Sequence, residues 1–253
     1  MSPRGRRLLF LPAAAGLLAG LLAAVARLPA FGHYPGPYGF VLNGVAVTER
    51  HATDLVAAVN FDYRAFDTLG EEFILFAAVL GIVVLLRSMR GEREAPSRDA
   101  SESHTFSGAS DALRGLALAF VAMLVVLGGY IVGHGHITPG GGFQGGVVLA
   151  AAAFIVFLAG EYLAMHRVAP HTVVEVGEAA GAAAYGLIGL GGLIFASVFF
   201  KNFLDLGKPG ELLSAGTIPL SNIAVGIEVA GAFLLIWSEF LDQALAVRAE
   251  GSE

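Results

Sequence analysis

The chain has 253 residues, of which 56% are hydrophobic and only 14% are charged, and its formal net charge is −6. A soluble chain of this length has too little core to bury so large an apolar fraction, so a lipid bilayer is the expected solvent. The sequence contains no cysteine, which excludes disulfides, thiolate metal sites and cysteine nucleophiles. Because no face rich in Lys and Arg is present, we do not expect nucleic acid as a partner.

Six apolar runs follow one another along the chain, each long enough to cross a bilayer as a helix of roughly 30 Å. They predict an all-α, polytopic membrane protein with six transmembrane helices, two in the N-terminal part and four in the C-terminal part. The runs cover residues 8–26, 69–86, 112–131, 145–163, 173–200 and 221–244.

The first run has two interpretations. Arg4, Arg6 and Arg7 precede it and residues 24–26 read Ala-Val-Ala, an arrangement that also fits a cleavable signal peptide. The apolar stretch is longer than the usual signal core of about 7 to 15 residues, which favours a retained span. Sequencing the N-terminus of the mature protein would distinguish the two.

The Lys and Arg residues predict the orientation, because cytoplasmic connections of membrane proteins carry an excess of them. If both termini are cytoplasmic, ten of the 15 Lys and Arg residues lie inside. The five that remain outside are Arg27, Arg50, Arg64, Lys201 and Lys208. We therefore predict that both termini are cytoplasmic.

A charged and polar stretch divides the chain. Residues 87–114 are rich in Glu, Arg, Ser and Asp and show no helical periodicity. We predict a two-span unit, a cytoplasmic linker, a four-span unit and a C-terminal tail, in that order. Their bounds are residues 1–88, 89–107, 108–246 and 247–253.

The connection between the first two spans has two parts. Residues 27–52 contain several glycines and prolines, which predict an ordered or partner-bound loop. Residues 53–66 then show weakly periodic apolar positions, which predict a short interfacial helix. The run from Thr68 to Glu71 fits a capping box at the start of the second span.

A glycine-rich hairpin, residues 133–146, joins the third and fourth spans. Proline ends helical bonding and consecutive glycines can take positive φ, so the chain can reverse tightly at the membrane surface. The freed backbone groups need a cavity, another helix or a neighbouring subunit, because lipid offers them no partner. The candidate residues for a turn or partner interface are Pro139, Gly140, Gly141, Gly142, Phe143, Gly145 and Gly146.

The chemistry of the hairpin is open. It lacks the Lys and Ser/Thr of a phosphate-binding loop and follows no strand, which argues against a nucleotide. His134 and His136 offer two imidazoles without an evident third metal ligand, so we predict no metal. They either face water at a plain turn or mark an entrance for protons or cations.

The hairpin resembles a known family, the B subunit (MrpB or MnhB) of the multisubunit Mrp-type sodium/proton antiporters. The similarity rests on Gly133-His134 and on the string from Thr138 to Gly146, between two apolar helices. Residues 216–229 resemble the family's final span, and the resemblance covers about residues 108–246. Residues 59–71 instead resemble the two-span segment that ends the antiporter's large A subunit, which related membrane-bound hydrogenases carry as a small separate subunit.

The resemblance implies a multi-pass subunit of a prokaryotic plasma membrane, working in a complex with other membrane subunits that exchanges Na⁺ or another monovalent cation for protons. It implies no catalytic reaction of its own and no cofactor. Two alternatives stay open. The chain is a purely structural scaffold, or it is the equivalent subunit of a hydrogenase-like ion-pumping complex.

Carboxyl groups within the apolar spans are costly and are therefore candidates for an ion or proton path. Glu228, about seven residues or roughly 10 Å into the last span, is the strongest candidate. Its alternative role is a protonated acid that bonds another helix. Glu161, Glu178 and Glu239 lie near predicted cytoplasmic ends, where they are either solvated or form an acidic entrance.

The N-terminal unit adds Asp62, Arg64, Asp67 and Glu71, which match its charged positions in the resemblance. Three carboxylates around one arginine would bind a hydrated cation weakly or hold a proton. Glu72 adds a further like charge. In the fifth span, Gly177 and Gly181 begin a series of small residues that predicts close helix packing.

Overall fold

The computed structural model describes residues 3–28, 36–91 and 110–250, and every regular element in these ranges is helical. Residues 92–107 of the predicted linker and 251–253 of the predicted tail lie outside the described residues. A π-helical turn, Val59–Tyr63, precedes the fourth α-helix. In chain order the α-helices are α1 (Pro3–Ala26), α2 (Tyr38–Arg50), α3 (Leu55–Ala58), α4 (Ala65–Gly91), α5 (Asp111–Gly133), α6 (Gly142–Val168), α7 (His171–Ala196) and α8 (Ile218–Glu250).

The predicted all-α membrane architecture is confirmed. The apolar part of α1 among the described residues, Phe10–Ala26, is shorter than the other spans, and α1 belongs to a first compact unit. A second unit begins at Leu42 and contains α3 to α8. Five helices of the described chain are long and apolar enough to cross a membrane: Ala65–Leu86, Arg114–Gly133, Gly142–Ala159, His171–Ala196 and Ile218–Asp242.

The predicted loop between the first two spans is wrong from Tyr38 onward, where α2 begins. The prolines end at Pro37, whose carbonyl accepts a hydrogen bond from the backbone N of Val41 at 2.9 Å. A helix tolerates proline there, because its first N–H groups have no intrahelical partner. Leu42 and Ala46, one helical turn apart, are both buried.

The predicted short helix is confirmed as α3 and the π-helical turn, and its position at a membrane interface stays a prediction. The capping box predicted after it is wrong. The Asp54 carboxylate caps α3 by accepting a bond from Ala57 N at 3.1 Å. Because the π-helical turn leads directly into Ala65, α4 begins three residues before Thr68. The Thr68 hydroxyl lies inside α4 and donates to the Asn60 carbonyl at 2.8 Å.

Helix α8 is the centre of the second unit and contacts α4, α5, α6 and α7. Its buried face consists of small and branched residues at helical spacing, including Val225, Val229 and Ala232. Large apolar side chains point outward from the surrounding helices, as Ile74 and Val126 do on α4 and α5. Apolar side chains of the described residues therefore both fill the packing around α8 and cover the outer faces of the surrounding helices.

Candidate functional site

Three of the carboxyl side chains that are buried within the spans lie on three different helices, α4, α7 and α8. They are Glu72, Glu178 and Glu228, with exposed fractions of 1%, 2% and 0%. Among the described residues, both oxygens of Glu72 and Glu228 and Oε1 of Glu178 lack a hydrogen-bond donor. Carboxyl groups withdrawn from water at such cost mark a candidate site, and we call these three residues the buried carboxyl cluster.

Two glycines allow α7 and α8 to cross closely at this cluster. A Cβ atom on Gly181 would lie 2.5 Å from the backbone N of Glu228, and one on Gly231 would lie 2.8 Å from Cβ of Glu178. Each glycine follows the glutamate of its own helix by three residues, so the two contacts are reciprocal. The predicted close packing of the fifth span is thus confirmed at Gly181.

Glu72 on α4 and Glu228 on α8 interact electrostatically across the two helices. Two ionised carboxylates can only accept hydrogen bonds, so a bond between them requires a proton on one of the two. Glu178 interacts electrostatically with Glu228 from the α7 side. The Glu72–Glu228 pair can therefore hold a proton.

Tyr185 and Thr68 fasten α7 to the start of α4, one turn before Glu72. The Tyr185 hydroxyl is fully buried and donates to the Ala65 carbonyl at 2.9 Å. Thr68 precedes Glu72 by four residues, so the two share a face of α4. The Tyr185 bond therefore holds α7 against the turn of α4 that precedes Glu72.

The structure does not place three carboxylates around Arg64, which differs from the predicted arrangement. Arg64 forms an exposed ion pair with Asp67 alone among these candidates. Asp62 accepts instead from Arg50 Nε at 2.7 Å. Glu71 is exposed on α4 and points away from its buried neighbour Glu72.

The Asp62 site lies outside the spans, and its groups are strongly influenced by burial. Burial raises the pKa of the Asp62 carboxyl group, against the opposing effect of Arg50. Burial and a hydrogen bond to Glu49 raise the pKa of Tyr63 to about 12. The Arg50 guanidinium also lies 4.5 Å from the centre of the Tyr63 ring. This network joins α2 to the π-helical turn.

Glu178 and Glu239 are buried, with exposed fractions of 2% and 1%, so their predicted interpretation as solvated boundary residues is wrong. At Glu178 the reason is the close crossing of α7 and α8 at Gly231, which excludes water from this face. The side chain of Glu161 lies outside the described part of the structure.

The two hairpin histidines have different surroundings. His134 stacks on Tyr130, with ring centres 4.1 Å apart. His136 is fully buried, and its Nε2 lies 3.1 Å from the Leu212 carbonyl oxygen. No group of three or more His, Asp or Glu residues within the described ranges has a geometry that could hold a metal ion.

The hairpin glycines allow backbone conformations and close contacts within the chain itself. Gly140 and Gly141 have φ values of +137° and +119°, which only glycine adopts without strain. The Asn222 side chain of α8 accepts from Gly142 N at 2.9 Å, and a Cβ on Gly142 would lie 2.6 Å from the Asn222 carbonyl oxygen. Pro139 is exposed, and its contact with a partner stays a prediction.

We expect acid to destabilise the hairpin through His136. Burial lowers the pKa of the His136 imidazole, so the unfolded chain binds a proton at a higher pH than the folded protein. The stabilisation is therefore complete above about pH 6.5 and is lost as the pH falls through the folded pKa. Thermal unfolding in detergent should show a larger acid loss for the wild type than for His136→Gln. Equal losses would contradict this assignment.

Glu72 is the member of the cluster that sequence reasoning missed. Its signal was the spacing of Thr68, Glu72 and Val79, which form one buried stripe of α4. The capping-box interpretation placed Thr68 at the cap of the helix, so Thr68 was not recognised as part of this buried face. Only one of the neighbours Glu71 and Glu72 can face α8, and the structure selects Glu72.

These features define a multi-pass membrane protein with ionisable groups buried between its spans. Residues 112–235 match the family model described as a domain related to the MnhB subunit of Na⁺/H⁺ antiporter. An uncharacterized protein of Methanocaldococcus jannaschii is 35% identical over 219 residues, which cover 77% of this chain and 81% of that relative. The chain therefore belongs to the MnhB-related family, as its hairpin indicated.

Solved structures extend the similarity to most of the chain. A chain of the membrane-bound sulfane sulfur reductase, an archaeal respiratory membrane complex, matches with a TM-score of 0.70 and 29% identity over 93% of this chain and 98% of its own. A chain of the Mrp complex from Dietzia sp. DQ12-45-1b matches with a TM-score of 0.67 and 25% identity over 94% of this chain and 26% of its own. The probable K⁺/H⁺ antiporter A/B protein of Rhizobium meliloti (strain 1021) is 26% identical over 130 residues, 46% of this chain and 13% of that protein. Both solved relatives are parts of membrane complexes.

Proposed function

We propose that this chain is a membrane subunit of a complex that exchanges a monovalent cation for protons, and that it contributes to the ion path and to assembly. The buried carboxyl cluster carries this proposal. An ionised carboxyl group without a partner is too costly inside a bilayer. Each carboxyl group of the cluster must therefore either carry a proton or have a cation close to it.

The contact between Glu72 and Glu228 supplies the chemistry of exchange. With one proton between them, the two groups form a hydrogen bond and carry one negative charge. When that proton leaves, two like charges remain close together, and a bound cation relieves their repulsion. Proton and cation thus compete for the same oxygens. Glu178 adds a third carboxyl group on α7, whose charge acts on Glu228.

The surroundings of the chain in this proposal are lipid and other membrane subunits. The outer faces of α4 and α5 support it, since Ile74 and Val126 are 72% and 73% exposed. We place the complex in a prokaryotic plasma membrane with both termini cytoplasmic. In this proposal the chain consists of a two-span and a four-span unit. It has no catalytic reaction of its own.

Exchange by the intact complex in sealed vesicles tests the proposal. Proton movement driven by an imposed Na⁺ or K⁺ gradient is followed with a pH-sensitive dye. We expect exchange in the wild type and its loss in Glu72→Gln, because an amide cannot release the proton that the contact with Glu228 requires. Normal exchange in an assembled Glu72→Gln complex would contradict a role of this cluster in the ion path.

A specific observation favours a second candidate, in which a redox reaction in partner subunits drives ion pumping. The matching chain of the sulfane sulfur reductase is covered almost completely, whereas the matching Mrp chain is covered over about a quarter of its length. The proteins that co-purify with this chain in mild detergent distinguish the two. Iron-sulfur subunits would support the redox complex, and large antiporter subunits would support cation/proton antiport.

A further inference from the structure

A second set of ionisable side chains lies where α7 begins, at the opposite end of the spans from the hairpin. The Nε2 atom of His171 lies 3.3 Å from Oε1 of Glu239, and its Nδ1 atom lies 3.4 Å from Oε2 of Glu175. The exposed side-chain fractions are 46% for Glu175, 32% for His171 and 1% for Glu239. His171 therefore connects a carboxyl group in water with one buried between helices. Asp242, also buried, lies one turn beyond Glu239 on α8.

The same face of α7 leads from His171 to the buried carboxyl cluster. Glu175 and Glu178 follow His171 by four and seven residues, which places all three on one face over roughly 10 Å. Glu178 interacts electrostatically with Glu175 on one side and with Glu228 on the other. The buried Glu178 carboxyl group thus interacts both with Glu175, which is half exposed, and with Glu228 of the buried carboxyl cluster.

A small cavity lies beside this route. Its volume is about 10 Å³, which is close to the space that a single water needs. His171 and Ser238 provide polar groups in its wall, and Val174 and Leu235 provide apolar ones. Val174 stands between His171 and Glu178 on α7, so a water in this cavity would lie along the route.

We propose that His171, with Glu175 and Glu239, forms a proton entrance to the buried carboxyl cluster and that Glu178 connects the two. This inference rests on the proposed exchange function. A proton from water binds one ring nitrogen of His171, and the proton on the other nitrogen passes to Glu239. Glu239 then releases its proton to water in the cavity, that water gives up one of its protons to Glu178, and Glu178 releases one to Glu228. Each transfer breaks one bond to hydrogen and forms one, so one proton crosses for each that enters.

Chemical rescue of the assembled complex in vesicles tests the entrance. We expect His171→Ala to lower the exchange rate about tenfold or more, as when a positioned proton-transfer group is removed. Imidazole added to the medium should restore most of that rate, because the half-buried site opens to water. Glu228→Gln is the matched control, since its buried defect should not respond to imidazole. A structural role of His171 would not produce this rescue.

Three outcomes separate this inference from the function on which it rests. Normal exchange in His171→Ala, together with loss in Glu228→Gln, would overturn the entrance and leave the proposed function intact. Loss in His171→Ala without rescue by imidazole would also overturn the entrance. A wild-type complex that exchanges no cation for protons would overturn the proposed function and the entrance with it.

Discussion

Glu228→Gln is expected to abolish cation/proton exchange while the complex still assembles. Gln has nearly the shape of Glu, so the crossing of α7 and α8 should be preserved. The amide can donate to Glu72, but it cannot release a proton or contribute a negative charge to a bound cation. Exchange should fall by about a hundredfold or more if the group transfers protons in every cycle. The measurement is cation-driven acidification or alkalinisation of vesicles that contain the purified complex.

Two further variants make the Glu228 result specific. Glu228→Asp keeps the charge but shortens the side chain, so we expect partial exchange with a higher KM for the cation. Glu211→Gln removes a carboxylate from the exposed loop before α8 and should leave both KM and maximal rate unchanged. If Glu228→Gln assembles and exchanges like the wild type, the buried pair is only a structural contact between α4 and α8.

Gly181→Ala is expected to destabilise the chain strongly by forcing α7 away from α8. The new Cβ would lie 2.5 Å from Glu228 N and 2.7 Å from the Ala224 carbonyl oxygen. Both are backbone atoms of a buried helix, so they cannot move aside as a flexible side chain would. We expect a loss of about 1–3 kcal/mol or more. Thermal unfolding in detergent measures the loss, and the yield of assembled complex shows its effect on partners.

Gly186→Ala on the same helix is the matched control, since nothing lies within 4 Å of a Cβ built there. Alanine favours a helix over glycine by about 1 kcal/mol, so this variant should be as stable as the wild type or more stable. Equal stability of both variants would show that the crossing tolerates a methyl group. Loss of assembly in Gly181→Ala, with normal exchange in the carboxyl variants, would favour the scaffold alternative.

The positions of the helices were predictable from the sequence where the apolar composition of a run alone makes it helical. A bilayer requires every backbone group to bond internally, so long apolar runs form helices regardless of neighbours. The prediction failed at α2, where prolines next to an amphipathic segment suggested a loop over all of residues 27–52. It also failed at the start of α4, because the preceding π-helical turn depends on backbone bonds such as that from Arg64 N to the Val59 carbonyl.

The candidate site was only partly predictable. Glu228 and Glu178 stood out because a carboxyl group in an apolar span is costly. Glu72 was overlooked beside Glu71, since neighbouring residues on a helix face directions about 100° apart and the sequence does not state which one faces the core. His171 was missed because its partners, Glu175 and Glu239, lie on two helices whose contact no local pattern reveals.

The sequence by itself determined that this chain is a membrane protein of several helices, because apolar composition and run length act locally along the chain. It also determined the family, through the glycine hairpin. Only the tertiary structure decided which carboxyl groups meet. That choice depends on helix rotation and on the close approach at Gly181 and Gly231, and both arise from packing between residues far apart in the sequence.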